Sequence, residues 1–468
     1  MEPKNVLKNL QANNNFEVLV IGAGAAGLGA AKYLKKAGIK AKILEARDRI
    51  GGRVHAVPFG SDSKLIDLGG QWIHGLGPSA GDLKDWQGKL NPIYQIAVDN
   101  NIQTVKAWHL QSRIQKNFWY KGGEIPHDIW GILEQVEDYL EEHNEEADES
   151  ETIDQFVKRK FNYEKGSEEE MILDWILIYR FGQDYGANPK NQSARYQEED
   201  IIFDGTEDLI PESMLSILNI VAEGLDIMFN QQVTEINYER DQVVVKTKEG
   251  IEYFAQKVIV CVPLSILKAK DIQFKPVLPE EKQNSIQSMG VAQMDKLILE
   301  FDKVFWDEET DWFNYIAERN GDWCQTLNIY KYFQRPILMM FNAEPNTHNF
   351  EDMTDEEVLA SGMKVIRDMF PNATEPINYL RTNWNKEEFS KGTFSYIAAN
   401  SKPEYCEVIT RNIDSKIWFA GEYGYFDFIG TVNAALISGE NSAKEIVIQY
   451  NKKTEEICQH FYENDMFL

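Results

Sequence analysis

The sequence predicts an α/β fold in which a Rossmann-type dinucleotide-binding domain is interleaved with an α+β second domain. Three observations predict it. A βαβ pattern with a glycine-rich turn opens the chain, a second buried strand and a small-residue helix close it, and the middle has a different texture. The length of 468 residues allows two or three domains. The composition, 43% hydrophobic and 26% charged, is that of a globular chain rather than a disordered or disulfide-stapled one.

Phe16 to Gly22, FEVLVIG, is apolar and β-branched, as a buried strand requires. Ala25 to Gly38 carries Ala and Leu at helical spacing with a glycine stop, and Ala41 to Glu45 is a second strand. Helical patterns are expected from about Asn91 to Tyr185. A strand-rich stretch follows from Asp226 to Val262, and strands and helices mix from Gln273 to Ser395. The last elements are a strand, Ile417 to Gly421, and a helix from about Thr431. No repeat and no Pro- or Ser-rich linker separates these regions.

Charge and cysteines narrow the classes. The chain has 48 basic and 75 acidic residues, a net charge of −27. Such a surface repels nucleic acid and anionic membranes, and attracts polycations if it does anything beyond solubility. Glu134 to Glu151 contains no Lys or Arg and reads as a solvated helix running into a loop. No window offers the ~18 apolar residues of a membrane helix, and the N-terminus lacks a secretory core. Cys261, Cys324, Cys406 and Cys458 are far apart, with no metal-ligand pair, so no metal is expected. Cytoplasm is the expected compartment; the oligomeric state is left open.

Gly22-Ala23-Gly24-Ala25-Ala26-Gly27 is GxGxxG between a strand and a helix. Gly22 permits the turn, Gly24 lets main chain approach a pyrophosphate, and Gly27 lets the helix pack on the strand. The free N–H groups of the helix then meet phosphate. Glu45 ends the second strand, where an acid would hold a ribose hydroxyl; a surface carboxylate is the alternative. Arg49-Ile50-Gly51-Gly52-Arg53 follows. Its glycines bring main chain close to a ligand and its arginines offer forked donors. This pairing is far more specific than GxGxxG.

GAGAAGLGAAKYL, EARDRIGGR and AGEYGYFDFIGTVNAALISG together resemble the flavin amine oxidases, in order and spacing along essentially the whole chain. The resemblance implies FAD, bound by residues 1–88, 196–264 and 401–468, with a substrate-binding domain from 89–195 (helical) and 265–400 (mixed sheet). It assigns to the cofactor Gly22, Gly24, Ala26, Gly27, Glu45, Ala46, Arg47, Gly52, Arg53, Gly69, Gly70, Val233, Trp384, Gly421, Glu422, Thr431 and Val432. The Val432 amide opens a helix that would steady negative charge on the flavin; packing is the other use of that small-residue helix. Monoamine oxidases carry a flavin-linked cysteine where this chain has Gly392-Thr393-Phe394-Ser395-Tyr396, so FAD is expected to be non-covalent.

The substrate side resembles the polyamine oxidase and spermine oxidase branch. Gly69-Gly70-Gln71-Trp72-Ile73-His74-Gly75 matches its GxxWxHG, where a neutral imidazole at His74 would accept a hydrogen bond from a substrate ammonium or share its proton. Lys296 matches the lysine that reaches flavin N5 through a water, and Phe394 the aromatic lining the pocket before the flavin. Trp72 lies beside the channel. Thr431 stands where many relatives have a second cage aromatic. Asp184 falls near an acidic position facing the channel, where it would pair with a distal ammonium; a helix-end aspartate is equally consistent.

The reaction implied is oxidation of a secondary amine of spermine, spermidine or their acetyl derivatives. The α-carbon gives a hydride to flavin N5, and the resulting imine is hydrolysed to an aldehyde and a shorter amine. Reoxidation by O2 yields hydrogen peroxide. Three alternatives stand beside it. A histone demethylase carries an extra helical domain and a coiled-coil insertion, for which no heptad run appears. Another amine or amino-acid oxidase needs, for a carboxylate substrate, an arginine such as Arg180 or Arg195. A flavin-bound scaffold would have no use for the set His74, Lys296 and Phe394.

Overall fold

The computed structural model describes residues 14–78, 89–108, 115–120, 122–123, 125, 128–196, 203–317, 322–344 and 350–464. The fold is the mixed α/β fold expected, and its sheets draw on distant parts of the chain.

The larger sheet has eight strands. At its heart five run parallel, in the order Ile417–Phe419, Glu252–Val260, Asn15–Ile21, Ala41–Leu44, Ile227–Met228. Val18 to Val20, Ile43, Val258 to Val260 and Ile417 to Phe419 are fully buried, as central parallel strands covered on both faces must be. The amino-terminal half of Glu252–Val260 turns instead to Val243–Thr247 in antiparallel register, which leads on to Val233–Asn237 and Gln273–Lys275. The helix Ala25–Lys36 and the final helix Val432–Asn464 pack on one face. Gly29 and Gly439 set their approach: a Cβ on Gly439 would lie 2.0 Å from the Ala26 carbonyl, and one on Gly29 would lie 2.7 Å from Leu436.

The second sheet has six strands in the order Asn378–Arg381, Met294–Glu300, Ile337–Ala343, Gln325–Asn328, Trp312–Ile316, Gln115–Trp119. Leu297 and Leu299 point to the helix Asp355–Met369, packing with Val358, Met363 and Ile366. The alternate residues Lys296 and Ile298 therefore face the opposite side, where Ile298 packs with Phe59, Ile66 and Phe341. The stretch expected to be helical from Asn91 to Tyr185 is interrupted by two strands, Val105–Trp108 and Gln115–Trp119. The latter is held by a parallel pairing with Trp312–Ile316, a non-local partner that overrides helical spacing.

Helices resume with Ile129–His143, Ile153–Lys160 and Glu168–Leu177. The last continues into a π-helical turn, Ile178–Gly182, and stops at Gly186 with φ +58°. A Cβ there would sit 2.9 Å from the Phe394 ring. The acidic run Glu134 to Glu151 forms a helix and loop as expected, with Val136 and Leu140 buried beneath it. Among the described residues no helix is long and apolar enough to cross a membrane.

Candidate active site

One cavity of about 990 Å³ runs from the carboxyl ends of the parallel strands to the helices around Arg180. Open α/β sheets bind ligands at that edge. Its wall includes Gly22, Gly24, Ala26, Glu45, Ala46, Arg47, Gly52, Arg53, Gly69, Gly70, Val233, Trp384, Gly421, Glu422, Thr431 and Val432, and further on Trp72, His74, Asp184, Lys296 and Phe394. Every residue that the resemblance assigned to cofactor or substrate is thus on one surface except Gly27. Gly27 lies behind the turn, where a Cβ would fall 1.9 Å from the Gly22 carbonyl; it shapes the site by close packing.

The nucleotide end suits FAD. Gly22 has φ +104°, and a Cβ there would be 2.8 Å from the Cys261 carbonyl. Gly24 precedes the helix Ala25–Lys36 without any side-chain cap, so the first N–H groups are left for a ligand. Glu45 is buried and fixed: its carboxylate accepts from the Ala23 N–H at 2.6 Å and the Arg47 N–H at 2.8 Å. Arg47 donates to Glu387 at 2.5 Å and Ser390 at 2.9 Å, and its Nε is buried with no partner among the described residues, as is the Thr393 hydroxyl. Arg53 donates to Thr393 O at 2.5 Å and to Glu422 at 2.9 Å, and Glu422 also accepts from the Ser395 hydroxyl at 3.0 Å. Arg49 turns away from a phosphate role. It donates to Ile50 O and Gly52 O, bracing its own loop.

Lys296 is buried beneath the glycine pair. Its Nζ donates to Asp67 O at 3.0 Å, Gly69 O at 2.8 Å and the Gln71 side chain, beside the rings of Trp72 and Phe341. Burial pushes its pKa down, opposed by the Asp67 carboxylate. Burial likewise raises Asp67, which Ser213 Oγ holds at 2.7 Å. Trp384 donates to Leu68 O at 3.3 Å and would touch a Cβ on Gly69 at 3.3 Å. Trp72 stacks on Trp312 with ring centres 6.2 Å apart.

His74 has a carboxylate partner that the sequence did not disclose. The antiparallel pairing of Trp72–Ile73 with Glu207–Leu209 brings Glu207 level with His74, and His74 Nδ1 lies 2.9 Å from the carboxylate. Burial pulls the imidazole pKa down, but Glu207, and more weakly Asp184, outweigh it and hold it above 6.5. Sequence reasoning missed Glu207, since nothing in Thr206-Glu207-Asp208 signals its partner. Asp184 does face the cavity, though not alone: Arg180 donates to it at 3.0 Å and to Glu137 at 2.5 Å, and all three line the wall. Glu137, part of the acidic run, therefore borders the cavity as well as solvent.

Thr431 lines the cavity, but its hydroxyl is engaged, donating to Phe428 O at 2.7 Å and accepting from the Ala434 N–H at 3.1 Å. It caps the final helix. Arg195 lies away from the cavity wall and donates to the carbonyls of Glu145 and Ala147. Cys406 is buried, and burial pushes its thiol up to about 12.

The family described as flavin containing amine oxidoreductases matches residues 25–447. The chain is 30% identical to polyamine oxidase 2 of Arabidopsis thaliana over 441 residues, 92% of this chain and 87% of that protein. It is 29% identical to human lysine-specific histone demethylase 2 over 463 residues, 92% of this chain but 53% of that protein. Wild-type putrescine oxidase bound to putrescine shares the fold, with a TM-score of 0.74 at 18% identity over 93% of this chain and 99% of that one. The chain belongs to the flavin-containing amine oxidoreductases and is an amine oxidase.

Proposed function

We propose that the protein is a polyamine oxidase with non-covalently held FAD, acting on a secondary amine of spermine, spermidine or their acetyl derivatives. The observation that carries the reading is the far wall of the cavity, where Glu137, Asp184 and Glu207 gather. A monoamine has one cation to satisfy; carboxylates beyond the reacting nitrogen suit a substrate with a second. Relatives named polyamine oxidases, matching over most of the chain, support it. The amino-acid alternative is less well served, because Arg195 lies off the cavity wall and Arg180 stands between two carboxylates, which repel a substrate carboxylate.

What FAD contributes when bound is two-electron acceptance from the amine and reoxidation by oxygen, which yields hydrogen peroxide. Glu45, the uncapped helix at Gly24, Arg47 and the Arg53–Glu422 pair would hold it. No cysteine lies in Gly392–Tyr396, and Cys261, which does line the cavity, has its thiol pushed far up by burial, so it is a poor nucleophile.

The chain's own residues then manage the amine. Phe394 and Trp72 exclude water and face its alkyl chain. The His74–Glu207 pair takes or shares the proton that the reacting ammonium must lose. Since that imidazole is held above 6.5, its proton-accepting form grows as pH rises past neutrality, and kcat/KM is expected to rise from pH 7 into the alkaline range.

The test is anaerobic mixing of the yellow holoenzyme with spermine, spermidine, acetylspermine, a monoamine and a methylated lysine peptide, followed at the flavin's visible band. Bleaching by polyamines at least tenfold faster than by the others is expected. Bleaching by the monoamine or the peptide alone would overturn the reading.

A further inference from the structure

We propose that Arg180 is a specificity-determining residue: an internal cation seated between two cavity carboxylates, which a substrate's distal ammonium displaces from Asp184. This rests on the polyamine reading above and adds to it a competitor built into the chain.

The geometry begins with the backbone. Arg180 sits in the π-helical turn Ile178–Gly182, inserted between Glu168–Leu177 and Gln183–Tyr185. A π turn is less favourable than continuing α-helix and recurs at functional sites. Here it brings Tyr179, Arg180, Gln183 and Asp184 all onto the cavity wall. The guanidinium bridges Glu137 through Nε at 2.5 Å and Asp184 through Nη1 at 3.0 Å.

The two contacts are unequal. Glu137 receives the shorter one. Asp184 is an i,i+4 partner on the same helical run, with 44% of its side chain exposed against 38% for Glu137. Ion pairs of that kind are weak and easily exchanged. An arriving ammonium can therefore take Asp184 while Arg180 keeps Glu137, so no buried cation is left unpaired.

The same stretch of wall holds a further unmet acceptor. Gln183 is 2% exposed; its amide nitrogen donates to Cys324 Sγ at 2.9 Å. Its Oε1 is buried with no partner among the described residues. A buried acceptor without a donor costs stability, as does the π turn beside it.

The consequence is selectivity by exchange. A monoammonium bound at the reacting end gains nothing by disturbing Arg180. A longer dication recovers Asp184, less the cost of parting it from the guanidinium. Removing the guanidinium should then favour dications alone.

The experiment compares wild-type, Arg180→Met and Asp184→Asn holoenzymes. It measures anaerobic calorimetric Kd for diaminooctane and octylamine, and kcat and KM with spermine. In Arg180→Met the diaminooctane Kd and the spermine KM are expected to fall about tenfold, with kcat and octylamine affinity little changed. Asp184→Asn should weaken diaminooctane and leave octylamine unchanged. Unchanged or weaker diaminooctane binding in Arg180→Met would overturn the proposal. If that variant loses flavin or folds poorly, Arg180→Lys decides. It keeps a charge without the fork and should tighten diaminooctane about threefold at an unaltered Tm; no change overturns it. Should wild-type enzyme oxidise no polyamine, the functional reading fails, while the diaminooctane Kd still tests the exchange.

Discussion

His74 and Lys296 are two basic side chains on one cavity wall, and their surroundings push them in opposite directions. Burial governs Lys296 and lowers its pKa, whereas an adjacent carboxylate governs His74 and raises it. The raised value means that the His74–Glu207 interaction stabilises the protonated imidazole. Its contribution to folding is full below about pH 6.5 and is lost as pH climbs through the higher folded value. Glu207→Gln is therefore expected to lower the His74 pKa, read by NMR titration, and to move the acidic limb of kcat/KM to lower pH. The stability gap between wild type and variant should be widest below pH 6.5 and close at alkaline pH. The glycine positions were legible in the sequence because main-chain approach demands them: a Cβ at Gly27 or Gly69 would lie 1.9 Å or 1.7 Å from a carbonyl oxygen. Glu207, Glu137 and the carboxylate partners of Arg180 were not. Glu207 meets His74 across 133 residues through strand register, and Glu137 meets Arg180 across 43 through packing of two helices.

At the scale of elements, small devices end the helices that frame the site. Thr431 caps the final helix, and Gly186 ends the run carrying Asp184. The helix Glu404–Thr410 ends on Lys282, whose buried Nζ donates to the carbonyls of Val408, Ile409 and Arg411, each at 2.7 Å, and lies 4.6 Å from the Phe419 ring centre. A cation at a helix C-terminus satisfies orphan carbonyls and suits the helix dipole. Lys282→Met keeps the stem but strands those acceptors. It is expected to cost about 1–3 kcal/mol, seen as a lower Tm with the flavin spectrum unchanged. The βαβ unit was readable from local spacing, which its geometry obeys. Strand Gln115–Trp119 was not, because the strand it pairs with lies almost two hundred residues away in sequence.

For the whole molecule, the net charge of −27 has a kinetic meaning for a cationic substrate. A negative field accelerates encounter with polycations and is screened by salt. The spermine kcat/KM is expected to fall as ionic strength rises, more steeply than for a monoamine. Glu141, Glu142, Glu145 and Glu146 are exposed, outside the cavity wall. Replacing all four by glutamine should lower the salt dependence slightly and leave kcat unchanged. A fall in kcat would show that this tract does more than shape the field.

The parallel sheet has one more consequence, for the order in which the protein comes into being. Asn15–Ile21 has as neighbours Ala41–Leu44 and Glu252–Val260, and the latter waits in turn for Ile417–Phe419. At ribosomal speeds roughly 20–80 s separate the emergence of the first strand from that of the last. Throughout that interval the glycine-rich turn is already made, yet the strand edge and the helix that complete its cradle do not exist. A chain halted before Ile417 would present Val258 to Val260 as an open, apolar edge to its neighbours.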